Sequence, residues 1–253
     1  FSLHPSANIS YISDIASISP NASIGAIYNV NDALMLKGTI GYAENQPTFS
    51  DLYWPLIDYG IYGTYQGNPD LETEKGLNGD IGMQLTLDRG SYDAVLYAKN
   101  IYNAIVSDGS MPQNIAHSFY IGTEQSVTIS LSDALEMTAS YILNHSFDLS
   151  SGQTFSDNIP VPFIRRHMVK AALTYSSDWL SFSLDGQYAS ATQDSFSTEY
   201  EHYLVFNAVT DVMVSEALSV YLAIDNLLNS SYSLVSGYPM PGMKIRLGGT
   251  CRF

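Results

Sequence analysis

The sequence is poor in charged residues and has no long hydrophobic run. Asp, Glu, Lys and Arg make up 14% of its 253 residues, against roughly 25% in soluble domains. Hydrophobic residues make up 45%, yet they are spread along the chain, and residues 220–224 are among its longest apolar runs. A transmembrane helix needs roughly 18 consecutive apolar residues, so the sequence excludes one. The absence of a long apolar run does not exclude a membrane β-barrel, because barrel strands alternate lipid-facing and lumen-facing side chains.

Residues for disulfide or metal chemistry are scarce as well. Cys251 is the single cysteine, which excludes a disulfide framework and a cysteine-based zinc site. None of the five histidines stands two residues from another, the spacing that places two ligands on one face of a strand, so no metal site is predicted. The net charge of −15 argues against a nucleic-acid partner, because phosphate backbones bind basic surfaces.

The sequence is rich in alternating apolar and polar residues, which is the period of a half-buried β-strand. Between 180 and 188, even positions hold Leu, Phe, Leu, Gly and Tyr, whereas odd positions hold Ser, Ser, Asp and Gln. A soluble β-sandwich has the same period, so alternation alone leaves both classes open. The pattern predicts strands at 5–13, 19–30, 33–46, 72–88, 91–107, 117–131, 134–149, 161–176, 179–193, 201–214, 217–230 and 242–253.

The links between these strands alternate between short and long. The short links are Asn31-Asp32, Arg89-Gly90, Ser132-Asp133, Ser177-Asp178 and Ser215-Glu216. Short periplasmic turns on one rim and long external loops on the other are typical of outer-membrane barrels, whose aromatic girdles suit the 19 tyrosines. The sequence therefore predicts an all-β fold, a transmembrane antiparallel β-barrel in the cell outer membrane.

The last predicted strand indicates which of its sides faces lipid. Lys244, Arg246 and Arg252 share one side, and Leu247 lies on the other. A Lys or Arg on the lipid face costs roughly 2–4 kcal/mol at mid-membrane, so the basic side is the lumen. The chain then ends on a lipid-facing aromatic, Phe253. Such an end resembles the signal by which outer-membrane barrels are recognised for assembly.

Three segments resemble the TonB-dependent receptors, which are active importers of scarce metal chelates and cofactors. Residues 46–53, QPTFSDLY, are similar to the family's A-P-T-F-x-E-L-Y. Residues 67–74, GNPDLETE, are similar to G-N-P-x-L-x-P-E, with threonine in place of the second proline. Residues 226–243 are similar to N-L-F-x-x-x-Y followed by G-Y-P-x-P-G-R, with leucine for phenylalanine and methionine for arginine.

The resemblance implies a 22-stranded barrel preceded by a plug domain that the TonB complex contacts. Residues 1–253 would then form about twelve C-terminal strands of this barrel, with the plug and the first strands outside the chain. The implied function is import of a ferric siderophore, haem or cobalamin with energy from the TonB complex, without enzymatic activity. A complete twelve-stranded pore, or a barrel enzyme, is the alternative.

The predicted loop between the strands at 33–46 and 72–88 is the candidate ligand-contacting segment. Aromatic rings at a barrel mouth offer a bulky planar or macrocyclic ligand a large contact area. The same rings could instead pack the loop against its neighbours, and both interpretations stay open. The candidate residues are Tyr53, Trp54, Asp58, Tyr59, Tyr62 and Tyr65.

Charge is segregated between the loops and the strands. Asp14 and the regions 46–74, 107–117, 148–160 and 193–202 hold 12 acidic residues and no Lys or Arg. Such a rim disfavours polyanionic ligands unless a divalent cation bridges them. Loop-bound calcium is therefore one expectation, and a solvated acidic rim is the other.

One basic segment lies at a predicted loop-to-strand junction. Arg165, Arg166 and His167 are adjacent there. We interpret this segment as an anchor to the phosphates of lipopolysaccharide, with ligand binding as the alternative. Outer-membrane lipid is thus an expected partner.

The topology can be tested with single cysteines in a Cys251→Ser background. Cysteines in the loops 46–72, 148–160 and 193–202 should react with an impermeant thiol reagent on intact cells. Cysteines in the turns should react only after the outer membrane is permeabilised. Reaction at the turns without reaction at the loops would invert the topology. The turns to be tested are Asn31-Asp32, Ser132-Asp133 and Ser177-Asp178.

Overall fold

Twelve long strands form one antiparallel sheet in chain order. The computed structural model describes residues 1–13, 17–106, 111–193, 199–235 and 238–252. The strands are β1 Ser2–Ile12, β2 Ser17–Asn29, β3 Leu34–Asn45, β4 Glu74–Leu87, β5 Gly90–Val106, β6 Gln113–Ser130, β7 Leu135–Asp148, β8 His167–Ser176, β9 Leu180–Ala189, β10 Tyr203–Ser215, β11 Leu218–Asp225 and β12 Lys244–Cys251. Each pairs with its neighbours in sequence, which confirms the predicted order of twelve strands.

Two of the predicted strands that prove shorter than expected stop where the backbone changes conformation beside them. The strand predicted at 161–176 begins at His167, since Pro162 has no N–H to donate and Phe163 has a φ of 62°. The strand predicted at 217–230 ends at Asp225, because the next residue has a φ of 51°. Left-handed conformations of this kind interrupt a β-ladder.

The links contain short elements of their own. Small two-stranded ribbons join Ile57–Asp58 to Thr64–Tyr65, Thr192–Gln193 to Glu199–Tyr200, and Ser233–Val235 to Tyr238–Pro239. The helical segments are Phe49–Tyr53 and the 3₁₀ turns Gly60–Tyr62, Ser150–Gly152 and Phe155–Asp157. No helix among the described residues has the length and apolar character needed to cross a membrane.

The strand register gives the sheet an apolar face and a polar face. Along β11 and β12, Leu222 lies opposite Leu247 and Ile224 opposite Ile245 on the apolar face. On the polar face, an Asp225 carboxylate oxygen accepts a charge-assisted hydrogen bond from the Arg246 guanidinium at 3.0 Å. This register confirms the predicted alternation of the last strand. The position of Phe253 lies outside the described residues.

Polar and charged side chains of different strands meet on the polar face. Lys37 of β3 lies 4.0 Å from the Asp93 carboxylate of β5. Asn207 of β10 donates to the Asp185 carboxylate of β9 at 2.8 Å. A water-filled or protein-filled lumen can solvate such groups, whereas hydrocarbon cannot. The polar face is therefore the lumen side.

The apolar face exposes large aliphatic side chains that no other element covers. Ile81 is 65% exposed, Leu96 60% and Leu247 74%. A soluble monomer rarely exposes so extensive an apolar patch. Aromatic side chains border this patch near both ends of the strands, as in the girdles of membrane barrels. They are Tyr28, Tyr92 and Tyr175 near the short turns and Tyr42, Tyr102, Phe119, Phe147 and Tyr188 near the long loops.

The first and last strands are the edges of the sheet. Within the described residues, β1 pairs with β2 and β12 pairs with β11, and these two edges do not pair with each other. A complete twelve-stranded barrel would need that pairing. In lipid, each unsatisfied backbone group costs several kcal/mol, so both edges require a pairing partner.

The assignment of faces predicts unequal effects of arginine substitutions. Leu247→Arg should destabilise the membrane-inserted protein by about 2–4 kcal/mol, because it places a cation in lipid. Thr250→Arg should have a much smaller effect, because its side chain enters the lumen. Leu184→Arg and Ser183→Arg repeat this comparison at neighbouring positions of β9, which lie at nearly the same depth in the membrane. Leu184 is on the apolar face and Ser183 is on the polar face. Denaturant unfolding in lipid vesicles measures all four, and equal effects within each pair would contradict the register.

Candidate functional site

The loop between β3 and β4, residues 46–73, begins with a capped helix. Thr48 is the N-cap of the helix Phe49–Tyr53, and its hydroxyl accepts a hydrogen bond from the Asp51 N–H at 3.1 Å. The Asp51 carboxylate accepts in return from the Thr48 N–H at 2.8 Å and from its hydroxyl at 2.6 Å. This reciprocal capping box stabilises a helix too short to form alone.

The tip of the β3–β4 loop is a small hairpin with a glycine at each end of its turn. The Tyr59 N–H donates to the Gly63 carbonyl at 2.8 Å. Gly60 and Gly63 have φ values of 66° and 92°, which side-chain-bearing residues rarely adopt. An Asp58 carboxylate oxygen accepts from the Gly60 N–H at 2.7 Å. Asp58, a predicted site residue, therefore holds the turn.

The structure gathers some of the predicted aromatic residues and leaves others apart. The Trp54 and Tyr65 rings meet edge to face, with centroids 6.5 Å apart. Tyr53 packs on Phe49, with ring centroids 4.9 Å apart. Tyr59 lies at the exposed tip, beside a nearly fully exposed isoleucine. The predicted site thus has a Trp54–Tyr65 pair at its centre, and the side chain of Tyr62 lies outside what the structure describes.

Gly67 fixes the base of the β3–β4 loop against the helix. Its N–H donates to the Trp54 carbonyl at 2.9 Å, and the next N–H, of Asn68, donates to the Asp51 carbonyl at 2.7 Å. A Cβ atom on Gly67 would lie 2.5 Å from the Trp54 nitrogen, so no larger residue fits. The second family-like segment therefore begins with a residue that packing requires.

Hydrogen bonds between Glu72, Asn103 and Asn114 attach this loop to the neighbouring strands, and we call these three residues the latch. Asn114 accepts from the Glu72 N–H at 2.8 Å and donates to the Glu72 carbonyl at 3.0 Å and the Asn103 carbonyl at 2.7 Å. Asn103 donates to the Glu72 carboxylate at 2.7 Å. Asn68 adds a bond to the carbonyl of the fully buried Pro112 at 2.9 Å.

A concave space of about 420 Å³ opens on the polar face below the latch. At its top, the Glu74 carboxylate accepts hydrogen bonds from the Asn45 side chain at 2.6 Å and from the Ile105 N–H at 2.7 Å. Its other polar lining residues include Asn78, Asp80 and Lys99. The space therefore presents donors and acceptors of both charges to the lumen.

Acidic residues of the loops cap local turns. The Asp148 carboxylate accepts from the Ser150 N–H at 2.9 Å. Hydrogen bonds from the Thr154 N–H and hydroxyl hold the pKa of the Asp157 carboxyl below its usual range. No group of three or more His, Cys, Asp or Glu residues able to hold a metal ion occurs in the described ranges. Loop-bound calcium stays a prediction, and three of the twelve acidic residues, Asp14, Asp108 and Asp194, lie outside the described residues.

The two arginines of the basic segment at the start of β8 make different contacts. Arg165 donates to the Ser190 carbonyl, and its guanidinium lies 5.0 Å from the centre of the Tyr203 ring. It therefore joins two loops, which the interpretation of Arg165 as a lipid anchor did not anticipate. Arg166 is exposed, and its Nη2 lies 3.5 Å from His145 Nδ1.

Asn226 organises the last loop, a role that the sequence did not assign. Its side-chain amide donates to the Ser230 carbonyl at 2.9 Å and to the Pro241 carbonyl at 3.1 Å, and its side-chain oxygen accepts from the Ser230 N–H at 2.8 Å. Asn229 accepts from the Met243 N–H at 2.8 Å. The sequence signal for this role was the pair of asparagines in the NLLN segment. Asparagine adopts positive φ more readily than most residues, and both asparagines do so here.

Comparison with known proteins places strands β1 to β11 in one family. The profile of the family described as "TonB dependent receptor-like, beta-barrel" matches residues 2–227. The chain is 24% identical over 210 residues to the vitamin B12 transporter BtuB of Vibrio vulnificus (strain YJ016). That alignment covers 80% of this chain and 31% of the relative.

Solved structures share the fold. The copper transporter OprC superposes with a TM-score of 0.74 at 17% identity, over 94% of this chain and 40% of OprC. The ferric enterobactin receptor PfeA of Pseudomonas aeruginosa superposes with a TM-score of 0.72 at 16% identity, over 99% of this chain and 42% of PfeA. The chain thus spans less than half the length of these relatives. It belongs to the TonB-dependent receptor-like β-barrel family, whose members are outer-membrane receptors and transporters and are not enzymes.

Proposed function

We propose that this chain forms part of the barrel wall and part of the external ligand-binding surface of an active importer. The importer binds a ferric siderophore, haem or a cobalamin-type cofactor and moves it through the lumen. The TonB complex of the inner membrane supplies the energy by acting on a plug domain. Membership of the family supports this proposal, as do relatives named as a vitamin B12 transporter and a ferric enterobactin receptor.

The observation that carries the proposal is the β3–β4 loop. Its helix cap, its glycine turn and its latch hold it in one conformation, so little conformational entropy is lost when a ligand binds. The Trp54–Tyr65 pair and the exposed Tyr59 offer aromatic surface on this rigid support. Bulky planar or macrocyclic ligands gain most from such surface, because each ring buries a large area with few rotatable bonds.

The polar face below the loop suits passage of a polar ligand. Asn78, Asp80 and Lys99 line the space beneath the latch. Carboxylates and amines in a lumen can replace the hydration shell of a charged chelate in steps, as in other polar pores. The same side chains are the surface against which we propose that the plug packs.

Transport and binding can be separated experimentally in the protein expressed from its full gene. Cells should accumulate one ligand from a panel of ferric siderophores, haem and cobalamins. Deletion of TonB, or a protonophore, should abolish accumulation but leave binding to the cell surface unchanged. Accumulation that persists without TonB would point to a passive pore, and binding of no ligand in the panel would contradict the proposed substrate class.

Trp54→Ala should weaken ligand binding by about tenfold, because a buried aromatic contact at a binding surface contributes about 1–2 kcal/mol. The chain supplies a matched control in its other tryptophan. Trp179 lies at a short turn on the opposite rim and is 60% exposed, so Trp179→Ala should leave affinity unchanged. Isothermal titration of the purified receptor measures both, and equal losses would remove the β3–β4 loop from the binding surface.

Asn114→Leu should release the β3–β4 loop from the strands while the barrel stays assembled. The variant loses three hydrogen bonds that contribute roughly 0.5–1.5 kcal/mol each. Chymotrypsin can measure the release, because it cleaves after aromatic residues, of which the loop holds many. Trypsin would not, because the loop holds no Lys or Arg. Cleavage within the loop should become at least about tenfold faster.

Asn8→Ala is the control for the latch variant. Asn8 lies on the polar face of β1 and accepts one hydrogen bond, from Asn21 at 3.0 Å, far from the loop in the sheet order. Its cleavage rate should equal that of the natural protein. Unchanged cleavage of the Asn114→Leu variant would show that the latch does not hold the loop.

A further inference from the structure

Four of the five histidines lie together on the apolar face, although they are far apart in the sequence. We call His117, His145, His167 and His202 the histidine belt. Register places the first three on the apolar face of β6, β7 and β8, and His202 directly precedes β10 on the same side. All four lie near the long-loop ends of their strands. His4 lies on the polar face, opposite Gly25.

Each belt histidine rests against an aromatic ring, and three of these rings belong to the aromatic residues that border the apolar face near the long loops. His117 stacks on Tyr102, with centroids 4.5 Å apart and planes at 2°. His145 stacks on Phe147 at 4.3 Å. The other two rings lie 6.2 Å from aromatic partners, His167 from Tyr141 and His202 from Tyr188. Aromatic side chains in membrane proteins mark the depth of the lipid headgroups, so the histidine belt lies at that depth.

Two permanent cations lie beside the belt. Lys75 of β4 is directly opposite Tyr102, in the same row as His117. Arg166 lies against His145, with its Nη2 3.5 Å from the ring Nδ1. The other nitrogen of His145, Nε2, is 2.9 Å from the Asn158 side-chain oxygen. Both nitrogens of His145 are therefore used within the protein, and this ring positions Arg166.

His117 uses its Nε2 for a hydrogen bond with the Asn100 side-chain oxygen, but other belt nitrogens are available to a ligand. His167 bonds the Tyr141 hydroxyl through Nδ1 at 2.9 Å. Within the described part of the chain, its Nε2 and both nitrogens of His202 have no hydrogen-bond partner. An imidazole N–H donates to an anionic oxygen such as that of a phosphate.

The rest of the apolar face shows that this placement is selective. On the twelve strands it holds no Asp, Glu, Lys, Arg or His other than Glu44, Lys75 and the belt residues. Glu44 is the single carboxylate and lies opposite Lys75. The external loops, in contrast, are rich in acidic residues. Positive and proton-accepting groups are thus concentrated at one depth, where the lipid side of the protein meets the headgroups.

We infer that the surface formed by the histidine belt, Lys75 and Arg166 binds the phosphate groups of outer-leaflet glycolipid, with His145 acting through Arg166. Phosphates are the anions present at this depth on the lipid side, and a basic residue near a charged membrane surface attracts them. The aromatic rings hold the imidazoles at the boundary, and Lys75 and Arg166 add basic side chains beside them. The inference rests on the outer-membrane location of the proposed importer but not on the ligand that it transports.

Lipid binding to the protein expressed from its full gene tests the inference. The purified protein is placed in nanodiscs that contain bisphosphoryl lipid A or lipid A from which the phosphates have been removed. Bound lipid is counted by native mass spectrometry. The natural protein should retain bisphosphoryl lipid A at least about tenfold better than the phosphate-free form. Free inorganic phosphate should not displace the lipid, because the belt acts at the membrane surface.

Three variants locate the site. Replacement of all four belt histidines by glutamine, and separately Lys75→Gln with Arg166→Gln, should each lower the preference for bisphosphoryl lipid A by about tenfold. His4→Gln, on the other face, should not change it. Heat-modifiable migration on gels and unchanged binding of the transported ligand show that each variant is folded and functional.

Two results would overturn the inference. One is an undiminished preference in both the four-histidine variant and the Lys75→Gln, Arg166→Gln variant. The other is an equal loss in His4→Gln. Loss of ligand transport with retained lipid preference would count against the proposed function alone, so the two ideas fail separately.

Discussion

The pairing of every backbone N–H and C=O group across the membrane is the constraint on which the rest of this structure depends. In hydrocarbon an unpaired group costs several kcal/mol, so the strands must run without a gap from one neighbour to the next. The uninterrupted order of β1 to β12 meets this requirement along the sheet. Left-handed Phe163 and Asn226 lie beyond the strand ends, where water or side chains can satisfy the backbone. Asn103, with a φ of 56°, lies within β5 near its long-loop end.

The same constraint explains how much could be predicted from the sequence. Strand positions and strand faces follow from the two-residue period of apolar and polar side chains, which is a local pattern. The alternation in residues 180–188 and in β12 therefore predicted both the strands and their faces. The latch could not be predicted, because Asn114 and Glu72 are 42 residues apart and a side chain bonded to a backbone leaves no periodic pattern. The Trp54–Tyr65 contact depends on a glycine turn whose geometry the sequence permits but does not specify.

The division of labour between acidic and basic residues also follows from position. Loop carboxylates such as Asp51 and Asp157 each accept hydrogen bonds from a threonine three residues earlier, which gives each of them a local role in capping a turn. Lumen bases such as Arg246 face carboxylates on adjacent strands. The anchor expected at Arg165 stays a prediction, and the structure adds a second role, because a guanidinium offers five donors and the Ser190 and Glu201 carbonyl groups accept from it. Composition indicated the charges but not their partners.

The attachment of the β3–β4 loop has a consequence for the environments in which the protein can work. The latch consists of short hydrogen bonds between amides, carbonyl groups and one carboxylate, and no cation takes part in it. Dissolved ions weaken attraction between exposed opposite charges but have little effect on such bonds. The loop should therefore keep its shape from fresh water to brine, while the acidic rim around it loses its long-range field.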